Sequence, residues 1–318
     1  MPRKINSKKK PLVAIIVVNW NRKELTGKCL ESLKMTSYPN YKLVLVDNGS
    51  TDGSIRYLKK IYPKMHILKL KENKGYTEGT NTGWEYALNK LGADYICAMD
   101  NDILTIQKEW LDLLIEEMEK SPKRGVGSGK HTFEDGRLQQ PFFEADKKDH
   151  YKMDNGKYDF VKEVTGFCGP CILIKKEVIK NIGYYDENYF YGPNDADFCF
   201  RAKKNGYSLL YNGLSKSIHV GSVSGKSQND VIFREQAYGM MLLEFRWGSI
   251  KEKIFMPLKQ VFRAFFTRDN CNIGHHYKNL VFHKTFFRRL TYVFLAFFDA
   301  LKGYKKVIKH KKDYEVIS

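Results

Sequence analysis

The chain has little of what would make it a membrane-spanning, secreted or fibrous protein. In its most aromatic stretch the longest nearly uncharged run is Leu290–Phe298, about half of the roughly 20 residues a bilayer crossing needs. Six cysteines spread over more than two hundred of 318 residues are too sparse for a disulfide scaffold, and a reducing compartment is the simpler expectation. Lys8-Lys9-Lys10 precede an apolar run, Leu12–Val18, but no small-residue cleavage pattern follows and Asn19-Trp20-Asn21 ends it. That run reads as a buried strand rather than a leader. No internal repeat or low-complexity segment is present. What the chain does have is 42% hydrophobic, 14% aromatic and 28% charged residues, enough for a sizeable core and too apolar for disorder. Its length allows two domains of about 150 residues, or one large α/β domain with an appendage.

The net charge of +18 is unevenly spread. Residues 1–10 hold five Lys/Arg and no acid, and residues 245–318 hold sixteen basic and five acidic residues, leaving +2 for residues 11–244. Basic ends read as a patch for nucleic acid or an anionic membrane, or as solvated tails.

From residue 12 short β-rich runs alternate with helical patterns: Leu12–Val18, then 24–36; Leu43–Val46, then Ile55–Ile61; His66–Leu70, then 78–91; Tyr95–Met99, then Glu109–Lys120. This spacing predicts βαβ units and a doubly wound, mostly parallel sheet with helices on both faces. Ligands of such sheets sit at the carboxyl ends of the strands. Residues 132–160 have few periodic apolar positions and read as a loop over the site. Further on, a helix is expected around 175–181, another over 195–205, and strands near 208–211 and 215–219.

Three polar clusters close the early strands: Asn19/Asn21, Asp47-Asn48-Gly49-Ser50-Thr51-Asp52, and Asp100-Asn101-Asp102. Two carboxylates at a strand end suit Mg²⁺ or Mn²⁺ bridging a diphosphate, although a solvated loop has the same spelling. Asn48-Gly49 is a turn signal, and Ser50 or Thr51 can cap the next helix. Asp47 is either part of that turn or an acceptor for the ring N–H of a pyrimidine base. Asp195 is either a first-turn helix acid or a base that takes the proton of an attacking hydroxyl.

Taken in order, Val18-Asn19-Trp20-Asn21-Arg22, Val46 to Ser54, Asn73-Lys74-Gly75-Tyr76 with Asn81-Thr82-Gly83, Met99 to Asp102, Gly183 to Phe190, Asn194-Asp195-Ala196-Asp197 with Arg201, and His219 resemble glycosyltransferase family two. The resemblance covers about residues 11–225 and extends to its rhamnosyltransferase-like members. It implies a GT-A fold and an inverting transfer from a UDP- or dTDP-sugar to a hydroxyl of a glycan or lipid-linked acceptor. It also implies site roles. Asp47 would contact the base; Asn19, Asn21, Asn73, Asn81, Asp100 and Asn101 would line the nucleotide and its sugar; Asp102 and His219 would hold Mn²⁺ or Mg²⁺. Asp195 would be the catalytic base. The chain departs from the family at Asn194, where a Glu commonly precedes the base, so like-charge repulsion from that neighbour is lost.

The expected organisation is a basic tail over 1–10, a GT-A domain over 11–240 whose nucleotide-sugar half is 11–120 and acceptor half 121–240, and a basic amphipathic helical extension over 241–318. Two rivals are a nucleotidyltransferase, which would want a Gly-rich basic loop where Asn19-Trp20-Asn21-Arg22 stands, and a non-catalytic sugar- or membrane-binding module. Cys168-Gly169-Pro170-Cys171 spells a redox dithiol, but it runs into a strand pattern rather than a helix, so a turn with buried thiols is expected. His275, His276 and His283 lack metal-ligand neighbours. Phe262, Phe265, Phe266, Phe282, Phe286, Phe287, Tyr292, Phe294, Phe297 and Phe298, interleaved with Arg263, Arg268, Lys284, Arg288 and Arg289, suit a helical surface lying on an anionic leaflet. The alternative is packing on the catalytic domain or an oligomer contact. The expected placement is cytoplasmic and peripheral to the membrane's inner face, with no nucleic-acid partner.

Overall fold

A computed structural model describes residues 10–167, 169–221, 230–268, 280–282, 286–303 and 315–317. Most of the basic tail, together with Cys168, His275, His276 and His283, lies outside these residues, as do the side chains of Phe265, Phe266, Phe282 and Phe286.

Strand β1 (Val13–Asn19) is apolar at nearly every position because both of its faces are covered. Ala14 and Ile16 point into one core layer with Val44, Val46 and Trp84. Val13, Ile15 and Val17 point into the other with Cys29, Leu30 and Leu33. The second set belongs to α1 (Lys23–Leu33), whose buried positions recur at the helical spacing. Each such fully buried aliphatic side chain contributes about 1.5–3 kcal/mol against the cost of ordering the chain.

β2 (Tyr41–Asp47), α2 (Ser54–Ile61), β3 (His66–Lys69) and α3 (Gly75–Tyr86), which runs on into a π turn over 87–91, extend the sheet to one side of β1. β4 (Tyr95–Met99) then crosses back to pair parallel with β1 on its other side. The order β3-β2-β1-β4 is therefore parallel with its reversal between β1 and β4, and the crevice outside those two strand ends is where such a sheet receives ligands.

Beyond β4 come β5 (Ile103–Thr105), α4 (Trp110–Glu119), β6 (Arg124–Thr132), β7 (Val161–Val164), β8 (Cys171–Lys175), α5 (Lys176–Ile182), α6 (Asn194–Lys204) and β9 (Ser208–His219). β8 runs antiparallel between β4 and β6, while β6 and β9 pair parallel. The two strands expected at 208–211 and 215–219 are one, because Asn212-Gly213 stays in the strand and Gly213 N–H donates to Phe160 O at 2.8 Å. Between β6 and β7, residues 133–160 form the expected long loop. The buried Lys130 ammonium pins it through ion pairs to Asp154 and Asp159.

Helices α7 (Asp230–Trp247), α8 (Ile250–Phe265) and α9 (Phe286–Gly303) form a third core, with Ala237, Met241, Met256, Val293 and Ala296 inside it. A short hairpin, β10 (Phe266–Arg268) with β11 (Leu280–Phe282), lies between α8 and α9. The boundary expected at 240/241 falls inside α7, so the helical extension begins at Asp230. α7 already lies on the body at Gly239, where a Cβ would meet Gly192 O at 2.5 Å. The extension does not end as a helix either: β12 (Glu315–Ile317) pairs antiparallel with β3 and covers the backbone groups of that edge.

Buried charge joins the third core to the body. Arg246 of α7 contacts Asp186 and Asp197, and its other amino group donates to Gly303 O at 3.1 Å. Trp247 Nε1–H donates to Asp197 at 2.8 Å, and Arg201 pairs with the same carboxylate at 2.8 Å. Among the described residues no helix is long and apolar enough to cross a membrane.

Candidate active site

The strand ends carry a dense hydrogen-bond lattice. Asn19 lies opposite Asp47 in the β1–β2 register and donates to its Oδ1 at 3.2 Å and to Ser50 Oγ at 3.1 Å. Its own oxygen accepts from Thr26 Oγ1 at 2.7 Å, and Thr26 in turn accepts from Asn101 at 2.8 Å. Ser50 N–H holds the second Asp47 oxygen at 3.1 Å. Asn21 sits at φ 49°, a left-handed conformation that asparagine tolerates, and its oxygen accepts from Thr51 N–H at 2.8 Å.

Asn73 accepts from the N–H of Gly75, the first residue of α3, at 2.9 Å and is bridged to the Asp47 turn by Asn48 at 3.0 Å. Gly75, at φ 83°, has no alternative. A Cβ there would lie 2.7 Å from Phe190 O, and this close approach brings the 184–193 loop against the crevice.

Several of the expected donor contacts are thereby committed to protein partners. Asn81 is fully buried; its amide donates to Tyr185 O at 2.9 Å and Glu187 Oε1 at 3.0 Å while its oxygen accepts from Tyr185 N–H at 3.0 Å. Its task is to clamp the 184–193 loop onto α3. Asn19 and Asn101 likewise orient Asp47 and α1. Asn19 and Asn81 are fully buried, and a buried amide must spend its groups on neighbours; the partly buried Asn101 spends one N–H on Thr26.

The acids differ. Asp100, Asp102 and His219 each present a ligand atom, and these atoms lie within 4.8 Å of one another. β5 pairs antiparallel with β9 in a register that sets Ile103 against His219, which is what carries the imidazole to the strand end after β4. His219 Nε2 lies 3.3 Å from Asp102 Oδ1, a buried oxygen that accepts no hydrogen bond within the described residues. Burial opposes a charged imidazole, but contact with Asp102 and the charge of Asp100 raise the His219 pKa overall. Burial and the neighbouring Asp102 push Asp100 up to about 7. Two crowded carboxylates, one imidazole and one orphaned oxygen form an O,O,N donor set of the kind that holds Mn²⁺ or Mg²⁺.

Asp195 opens α6. Its oxygens accept from Gly169 N–H at 2.9 Å and Ala196 N–H at 2.8 Å, and burial lifts its pKa to about 6 against those two donors. Gly169 belongs to the turn spelled like a redox dithiol. The turn instead joins the two sides of the site, since the next residue's carbonyl, Pro170 O, accepts from Asp100 N–H at 2.7 Å. Cys171 is buried beside Cys97, with their sulfurs 3.6 Å apart and both thiols free.

Sequence reasoning missed two residues. Burial raises the pKa of the Tyr76 phenol, which lies close enough to Asp100 and Asp195 that their charges raise it further. Gln139, in the 133–160 loop, accepts from His219 Nδ1 at 2.9 Å and so leaves Nε2 turned toward the acids. Tyr76 had a signal in its place beside Asn73 and Gly75; Gln139 had none.

Residues 14–183 match glycosyl transferase family 2. The chain is 22% identical over 231 residues to the O-antigen biosynthesis protein RfbC of Myxococcus xanthus, covering 68% of this chain but 18% of that protein. It is 23% identical over 299 residues to the low-salt glycan biosynthesis hexosyltransferase Agl10 of Haloferax volcanii, covering 92% of this chain and 90% of that one. The solved structure of mannosyltransferase PcManGT from Pyrobaculum calidifontis, in complex with GDP-Man and Mn²⁺, matches with a TM-score of 0.58 at 15% identity, over 93% of this chain and 76% of that one. S. aureus TarS 1–349 in complex with UDP-GlcNAc gives 0.54 at 18% identity, over 77% and 69%. The structural likenesses establish the fold. With a family match over more than half its length, laid across the parallel sheet described above, the chain belongs to glycosyl transferase family 2 and carries the GT-A fold.

Proposed function

We propose that the protein is a metal-assisted inverting glycosyltransferase. It would move a hexosyl or deoxyhexosyl group from a UDP- or dTDP-sugar to a hydroxyl of a glycan or lipid-linked acceptor, on the cytoplasmic side and peripheral to the membrane. The observation that carries this reading is the meeting of Asp100, Asp102 and His219 within 4.8 Å of one another, tied through the Gly169-Pro170 turn to Asp195.

Asp102 and His219 would hold the cation, with Asp100 beside them and close to the Tyr76 phenol. When bound, a divalent cation supplies the positive charge that a departing diphosphate needs. The protein's own groups do the rest. Each Asp195 oxygen holds one backbone N–H and keeps a lone pair for substrate. The carboxylate takes the acceptor's hydroxyl proton as the acceptor oxygen bonds to the anomeric carbon. On the opposite face the bond from that carbon to the diphosphate oxygen breaks, its electron pair leaving with the nucleoside diphosphate, and the configuration inverts. A base with a pKa near 6 suits a transfer run close to neutral pH. Asp47, held on both oxygens, is oriented for a base N–H, and Trp20, exposed just after β1, offers an aromatic face.

Incubation with a panel of UDP- and dTDP-sugars tests this. The expected result is transfer from one donor with inverted anomeric configuration, stopped by EDTA and restored by Mn²⁺ or Mg²⁺. Full turnover in chelator discards the metal, and retention of configuration discards the single-base mechanism.

A further inference from the structure

Helices such as α1 and α4 bury an apolar stripe and show water a polar one. Helices α8 and α9 carry a second apolar stripe. On α8, Met256, Gln260 and Ala264 face the third core. Ile250, Ile254, Leu258 and Phe262, four residues apart and thus on one line of the helix, stay exposed. On α9, Val293, Ala296 and Ala300 are buried, while Phe287, Phe294, Phe298 and Leu301 recur at helical spacing and are exposed. The exposure runs from 42% at Leu301 to 79% at Ile250. The two helices pack on each other and on α7, so both stripes belong to one helical bundle. Exposed apolar residues elsewhere, such as Met35, Tyr57 and Leu214, are scattered singly, which is ordinary for a protein surface.

We propose that the exposed faces of α8 and α9 are a docking surface for an anionic lipid bilayer. The apolar stripe alone would accept a second copy of the chain equally well. Charge decides between them: among the described residues Lys251, Lys259, Arg288 and Lys302 are exposed on these same helices, against one exposed acid, Glu252. Two such surfaces repel each other, whereas an anionic leaflet satisfies both the lysines and the apolar side chains. Neither helix spans, so the depth reached is that of an interfacial helix, roughly 5–10 Å into the boundary of headgroups and acyl chains. The surface is tied to the site. Arg246 links α7 and the end of α9 to Asp186 and Asp197, the latter two residues along α6 from Asp195. A docked bundle therefore holds the base-bearing helix at a fixed height above the lipid, where a lipid-linked acceptor would present its hydroxyl. The proposal rests on the peripheral placement given above and not on the donor chemistry.

Flotation of the full chain with vesicles tests it. Phosphatidylcholine vesicles containing phosphatidylglycerol should carry the protein up, pure phosphatidylcholine should not, and salt should weaken the binding. The variant Ile254→Ser/Leu258→Ser/Phe294→Ser removes side chains that already face water, so its melting temperature and donor binding should stay unchanged. Its partition onto anionic vesicles should fall more than about tenfold. A wild-type chain that ignores anionic vesicles, or a triple variant that binds them as before, overturns the proposal. So does a wild-type dimer that the triple variant converts to monomer, because the face then belongs to a second copy. Donor binding measured by thermal shift in the same samples separates the two readings: its loss with vesicle binding intact sinks the transferase reading and leaves the docking surface standing.

Discussion

The two rims of the crevice are built from the same kinds of polar residue and use them in opposite ways. On the rim formed by β1, β2 and α3, Asn19, Asn48, Asn73 and Asn81 bond one another, the Asp47 turn and the 184–193 loop, with their amides committed inside the protein. On the rim formed by β4, β9 and α6, the carboxylates keep capacity in hand. Among the described residues, Asp102 Oδ1 is buried with only the His219 imidazole beside it, at 3.3 Å, and each Asp195 oxygen accepts one backbone N–H. A buried polar group with all its bonds made maintains shape, while one left short is available to a substrate or ion. Residue type and motif position alone do not separate the two.

The contrast breaks most sharply at Asp195. Asp195→Asn keeps the size and, through its single amide oxygen, one of the two backbone donors, but cannot take a proton. Accordingly kcat should fall by about 10²–10⁴ while Mn²⁺-dependent binding of the nucleotide sugar holds and stability drops by no more than about 1–3 kcal/mol for the N–H left unpaired. The wild-type profile supplies the sign. Burial raises this carboxyl to about 6, so below that pH it is protonated and kcat/KM should drop about tenfold per pH unit, with a plateau above. An acid limb that persists unchanged in the Asn variant would assign the titration to another group.

Next in size is the loop residue behind the imidazole. Gln139 accepts from His219 Nδ1 at 2.9 Å, which fixes the tautomer and turns Nε2 toward Asp102. Gln139→Leu should weaken Mn²⁺ binding, read by titration of the metal itself, by about 10–100-fold, with the loop still anchored by Lys130. Unchanged metal affinity would mean that Asp102 alone orients the ring.

How far the sequence could be read follows the same division. The sheet was legible because strands buried on both faces leave long apolar runs, as in β1 and β4, and because helices between them show the period of α1 and α4. The short β5 and β7 were not: three or four residues carry no period, and they exist through pairing with β9, far along the chain. The gathering of Asp100, Asp102 and His219 was foreshadowed by spelling at strand ends. Gln139 was invisible, since a glutamine in an aperiodic loop acquires meaning only when that loop folds back over β9. The Gly169-Pro170 turn was expected as a turn, but its bridging of Asp100 and Asp195 was not legible. Its two backbone atoms matter, and backbone atoms leave no trace in residue type.

Asn81 gives the smallest and most discriminating test of the contrast. The family resemblance places it beside the donor, whereas its three bonds to Tyr185 and Glu187 make it a clamp. Asn81→Ala strands the buried Tyr185 N–H and carbonyl, at a cost of about 1–3 kcal/mol in stability. A clamp that loosens lets the 184–193 loop drift, so the melting temperature should fall while the donor KM changes by less than about tenfold, the factor that one lost hydrogen bond to substrate would reach. The opposite pattern, a donor KM raised well beyond that with the melting temperature intact, would return Asn81 to the ligand side and show that a fully bonded amide can still be a substrate contact. In that event the hydrogen-bond count would stop separating the two rims, and Asn19, which is read by the same rule, would have to be tested in the same way.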